Sequence, residues 1–208
     1  MRGVGTAGAI AILALVAFAG CRIATVRPLD EKGAPAAGGV PASGPFDAAA
    51  FVESIWKVEV LRALDGAADV GAIVRDVGSS GDSAGRSRSL VVRGQGRVVN
   101  VDTRSRSGTA TVALDTEARA TVVLQVGPVI TGTAIRDALP ALGFDRFVNQ
   151  IQHADVGNEL NARVEREVLQ GLDRAALRGR HVRFAGMASF EEGQPPTVTP
   201  VRLEVEKP

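Results

Sequence analysis

Cys21 is the only cysteine in the chain, and Phe18-Ala19-Gly20 precedes it at the end of an apolar run. Small residues directly before a lone Cys match the bacterial lipobox, where the thiol is acylated and the modified residue becomes the new N-terminus. Phe18 stands where that motif usually carries Leu. The alternatives are an ordinary signal peptide with an incidental Cys, or a plain membrane anchor. Each buried acyl CH₂ contributes ~0.8 kcal/mol to membrane attachment, so the expected first partner is a membrane surface. A single cysteine also excludes an internal disulfide and any multi-cysteine metal site.

The other groups capable of chemistry are sparse. His153 and His181 are the only histidines, and neither sits in a ligand-spaced motif, so no metal is expected. The segment GSSGDSAGRS at 78–87 lacks both the phosphate-loop pattern and the strand–turn–helix setting of a nucleophile elbow. No Ser-His-Asp, Cys-His or paired-carboxylate arrangement stands out, and the chain reads as a non-enzyme without a cofactor. Polar side chains do crowd one region: Arg136, Asp137, Asn149, Gln150, Gln152, His153, Asn158 and Asn161. Arg136, Asp137, Asn149, Gln150 and His153 suit a small polar ligand such as a sugar. Equally, such amides satisfy loop backbone at element junctions. Arg86, Arg88, Arg93, Arg97, Arg104 and Arg106 form a basic cluster, but residues 89–119 hold no Phe, Trp or Tyr. Single-strand binding needs aromatic platforms, and the formal charge is only +1, so nucleic acid is not expected as a partner.

The elements that must position these groups follow from pattern. Arg2 and the apolar run at 7–17 give a signal peptide over 1–20, too short for a normal membrane span. Residues 21–45 are rich in Ala, Gly and Pro and read as a flexible tether. Residues 46–208 form one globular domain, with N-terminal helices over 46–77 and a barrel over 88–206. Asp47 is a good N-cap, and Phe46 with Phe51 has hydrophobic-staple spacing. The helix that follows carries two apolar stripes, with Glu53 and Lys57 paired between them. Phe51, Ile55, Val58 and Leu61 make one; Val52, Trp56, Val60 and Leu64 make the other. One covers the barrel, and the other packs on the next short helix or faces a partner. Val52, Trp56 and Val60 are the candidates for that face.

Strand-like segments follow at 89–103, 109–114, 120–129, 181–190 and 197–206. Gly94-Gln95-Gly96 is either a bend in one long strand or a hairpin that makes the count six. Pro200 marks an edge or bulged position. A helical insertion at 131–177 separates the third and fourth strands. In it Thr133 and Asp145 are expected caps, and a break is expected near 155–157, where the apolar face shifts. The fold class is α+β, mainly β: a small OB-fold-like barrel of five or six strands, with its crossover helix plugging one end.

Five segments resemble a family of predicted periplasmic lipoproteins, domain of unknown function 2291. They are FDAAAFVESIWKVEVLRAL (46–64), VVNVDTRSRSGTATVALD (98–115), LQVGPVITGTAIRDALP (124–140), FDRFVNQIQHADVGNELNARV (144–164) and TPVRLEV (199–205). The resemblance implies an exported protein, lipid-anchored in the bacterial cell envelope. It also implies an accessory role beside components of a sugar-type ABC transporter. It brings no catalytic residues and sets no oligomeric state.

Overall fold

Short alternating runs of Val, Leu, Ala and Thr build the sheet. The computed structural model describes residues 46–80, 88–116 and 120–206. The signal segment, Cys21, the tether and the loop at 81–87 lie outside the described residues. Six strands form one sheet: β1 (Ala68–Asp69), β2 (Arg88–Asp102), β3 (Thr109–Leu114), β4 (Thr121–Gln125), β5 (His181–Phe190) and β6 (Thr197–Val205). Their order is β1-β2-β3-β4-β6-β5, and β2 pairs with β5 as well, which brings the five longer strands into a ring. The β4–β6 step is parallel and short, with Val123 opposite Thr197 and Leu124 opposite Val198.

The 15-residue β2 serves both halves of the ring. Arg88 to Arg97 pairs with β5, and Gly96 to Asp102 pairs with β3. Gly94-Gln95-Gly96 is therefore a bend within one strand, not a hairpin, and the sixth strand is the two-residue β1. Glycine is required at the change of partner. A Cβ on Gly96 would stand 2.0 Å from the Ala113 carbonyl oxygen, and one on Gly94 would stand 2.7 Å from the Phe184 ring. The β5–β6 register shifts between Ala185 and Gly186, where Gly186 faces Pro200. Pro200 thus sits beside a bulge and beyond the reach of β4, where its missing N–H costs no ladder bond.

The helices form a second layer. In α1 (Ala48–Ile55), Asp47 accepts from the Ala49 and Ala50 N–H groups at 2.9 and 3.0 Å, and the Phe46 and Phe51 rings lie 5.9 Å apart. The chain then widens to π-winding over Trp56–Leu61. Val52, Trp56, Val60 and Leu64 recur every four residues, a step that overshoots a 3.6-residue turn by about 40°. A wider turn cancels that drift, and all four are buried. α2 (Val70–Ser80) follows β1, with Asp69 accepting from the Ala72 N–H at 2.9 Å.

The crossover holds α3 (Ala134–Asp137), two 3₁₀ turns and α4 (Gln150–Val164). α4 passes through 155–157 without the expected break and becomes π-wound over Glu165–Leu169. Val156, Leu160 and Val164 share the same four-residue spacing and are fully buried, while Ile151 is left 71% exposed. Asn149, not Asp145, caps α4 by accepting from the Gln152 N–H at 2.9 Å. Thr133 stands at the N-cap of α3, but its hydroxyl donates to Asp137 at 2.6 Å rather than capping backbone.

Two apolar cores result. One lies inside the ring and includes Val92, Val112, Val122, Leu124, Phe184 and Val198, closed by Val70 of α2 and by Leu177. The other lies between α1, α3, α4 and the outward-facing Met187 and Val201 of β5 and β6. The crossover helix therefore packs on the outside of the sheet, and Leu177 from the turn after it joins the core inside the ring. Val52, Trp56 and Val60 belong to this second core, so they are not a free face for a partner. Glu53 reaches Arg163 at 2.5 Å, not the expected Lys57.

Candidate functional site

The crossover begins at a buried amide. Gln125, at the end of β4, donates through Nε2 to the Thr131 carbonyl at 3.0 Å and to the Thr199 hydroxyl at 3.1 Å. Its Oε1 accepts from the Thr131 N–H at 2.8 Å. One side chain thus fixes β4, β6 and the first residues of the insertion. Asn161 of α4 donates to the Gly132 carbonyl at 2.8 Å, tying the helix to the same segment. Gly132 has φ +82, a left-handed backbone that glycine adopts freely.

The predicted ligand residues are brought near one another, but most bond their own chain. Arg136 donates from Nε to Asp137 at 2.9 Å and from Nη1 to the His153 carbonyl at 3.4 Å. Its side chain is only 15% exposed, so it pins α3 to α4. His153 donates from Nε2 to the Leu142 carbonyl at 3.1 Å, and its ring packs 5.1 Å from Phe147 and 5.5 Å from Phe144. Asn149 is the α4 cap, and Gln152 accepts from the Val148 N–H at 3.2 Å. Gln150 is exposed.

The described residues form surface depressions that include ones of about 360, 240 and 310 Å³. None of these three is lined by Arg136, Asp137, Asn149, Gln150 or His153. The second is bounded by Pro128, Val129 and Ile130 on one side and by Asn158, Asn161 and Glu165 on the other. The third lies over the β2–β5 pair, where Arg93, Gln95 and Arg183 meet Asp69 and Thr116.

Two ionic clusters escaped the sequence because each joins groups far apart in it, Arg163 to Glu53 and His181 to Asp115. Arg163 lies over Trp56, its Cζ 4.8 Å from the ring centroid. Beyond Glu53, its Nε stands 2.8 Å from Glu167, near enough for an ion pair though the N–H is not aimed at it. The guanidinium thereby joins α1 to α4 by charge and by cation–π contact. His181 donates from Nε2 to Asp115 at 2.6 Å, and its Nδ1 stands 3.2 Å from Glu206 without hydrogen-bond alignment. That cluster ties the ends of β3, β5 and β6 together. Among the described residues no three His, Cys, Asp or Glu side chains converge as metal ligands.

The family described as predicted periplasmic lipoprotein (DUF2291) matches residues 11–204. A crystal structure of an OB-fold protein from Thermotoga maritima superposes with a TM-score of 0.59 at 19% identity, covering 78% of this chain and 100% of that one. The ring order and the parallel β4–β6 step agree with that fold. No curated protein matches the chain.

Proposed function

The chain belongs to the predicted periplasmic lipoprotein family DUF2291, an envelope family exported and anchored by lipid, and on that premise we propose a non-enzymatic accessory role at the membrane. Cys21 is the residue that carries the lipid. The partner class is the components of a sugar-type ABC transporter, beside which the domain acts as an interaction module. One observation carries this reading: the crossover side chains best suited to a ligand are engaged with their own backbone. Arg136, His153, Asn149, Gln125 and Asn161 each bond a main-chain group of this chain.

The test is cross-linking of the full-length lipidated protein in its native membrane, followed by identification of the captured chains. Recovery of transporter components is expected; their absence among efficiently cross-linked products would sink the transporter assignment.

A second reading, direct binding of a small polar ligand, is favoured by the depression between Asn158, Asn161 and the 128–130 segment. A ligand at a hundred times its Kd would add ~2.7 kcal/mol to stability, which a melting curve detects readily. Under the accessory reading no sugar raises the Tm. A saturable rise abolished by Asn158→Ala would establish the binder instead. Arg136→Ala is a poor probe of that question, because it also unpins α3 from α4.

A further inference from the structure

Three large apolar side chains stand in solvent within eight residues of one another. Phe144 is 50% exposed, Val148 76% and Ile151 71%. They sit on the 3₁₀ turn Phe144–Arg146, the extended link and the first turn of α4. Asp145 and Arg146, beside them in the chain, carry opposite charges.

The position of this patch in the fold says what covers it. The described domain begins at Phe46. The Phe46 ring lies 6.3 Å from Phe147, Phe147 lies 5.1 Å from His153, and His153 lies 5.5 Å from Phe144. A continuous path of ring contacts therefore runs from the residue where the tether joins the domain to the exposed patch. Residues 22–45 separate Phe46 from Cys21, and at 3.3–3.6 Å per residue they reach at most about 86 Å. The tether thus joins the domain a short run of ring contacts from the patch, so the patch can meet the bilayer without the tether having to cross the domain. Exposed aliphatic and aromatic side chains partition into the headgroup–acyl boundary, and a tether raises their local concentration there.

We propose that Phe144, Val148 and Ile151 dock the domain on the bilayer that holds its acylated Cys21, fixing the orientation of the ring relative to the membrane. The proposal rests on the lipid-anchor reading and goes beyond it. A lipid alone leaves the domain free to tumble, whereas a docked patch presents one chosen face outward. With Asp145 and Arg146 balanced, docking depends on apolar insertion and not on headgroup charge.

The test uses the full chain, expressed with its leader, purified with its lipid and reconstituted in phosphatidylcholine vesicles. With Cys21 acylated, Ile151→Cys supplies one free thiol for an environment-sensitive fluorophore; Gln194→Cys, in the exposed β5–β6 turn, is the control position. At 151 we expect a blue-shifted emission quenched by nitroxide-bearing lipid, at 194 neither, and the same result with phosphatidylglycerol added. Adding Phe144→Glu and Val148→Glu to the Ile151→Cys chain returns the label to an aqueous spectrum while the protein still floats with the vesicles. A label at 151 that behaves like the one at 194, on protein that floats, overturns docking but leaves the anchor standing. A blue shift without lipid quenching shows the patch covered by protein, whether a second copy or residues 22–45, and also overturns it. Protein that fails to float overturns the anchor, and docking with it.

Discussion

Asp102 closes β2 by taking three hydrogen bonds from one residue. Its Oδ1 accepts from the Arg104 backbone N–H at 3.0 Å and from Nε at 3.1 Å, and its Oδ2 accepts from Nη2 at 2.8 Å. Hydrogen bonding to the ionised form, led by the guanidinium, lowers the Asp102 pKa from 3.8 to about 2. A depressed folded-state pKa stabilises the fold above the unfolded value, and that contribution is lost as pH falls from about 4 towards 2. Carboxyl chemical shifts should therefore show Asp102 still ionised at pH 3, and Arg104→Ala should move its midpoint back towards 3.8. A midpoint unchanged by that substitution would refute the pairing. Asn161 stood out in sequence among the crossover polar groups, whereas Gln125, at the end of a strand, did not, and the partner of neither could be read. Gln125 finds Thr199 and Asn161 finds Gly132 only after the chain has folded, and periodicity carries no trace of such pairs.

Among the elements, β2 depends on a bare backbone at Gly96. An added Cβ would overlap the Ala113 carbonyl, which belongs to the paired backbone and cannot swing aside. Gly96→Ala should destabilise by about 1–3 kcal/mol or more, read as a lower urea midpoint, whereas Gly66→Ala, with open space around it, should be near neutral. Equal midpoints for the two variants would overturn the close approach. β3 and β5 were legible to the residue because alternation and flanking turns bound them clearly. β1 was not, since two residues have no period. The expected break in α4 came from assuming that every apolar residue turns inward. The helix stays continuous and leaves Ile151 outside, while π-winding after Val164 follows the four-residue spacing of its buried face.

Across the whole molecule, β5 is the shared wall of both cores. Val182, Phe184 and Ala188 point into the ring, while Ala185 and Met187 face the helices. Neither core can lose its packing without exposing the other side of this strand. The fluorescence of Trp56, which reports the helical layer, and far-ultraviolet dichroism, which also reports the sheet, should therefore follow one urea transition. Both should shift together in Leu160→Ala and in Val112→Ala, and separate midpoints would show two independent units. The pairing of β2 with β5 has a further consequence if the chain crosses the cytoplasmic membrane unfolded and amino end first. Residues 88–97 emerge long before their partners at 181–190, so one rim of β2 must wait unpaired until nearly the whole chain has crossed. Late closure of this kind is slow and leaves an open strand edge exposed to mispairing. Folding of the ring is thus timed by translocation, and the hazard passes only when the last two strands arrive.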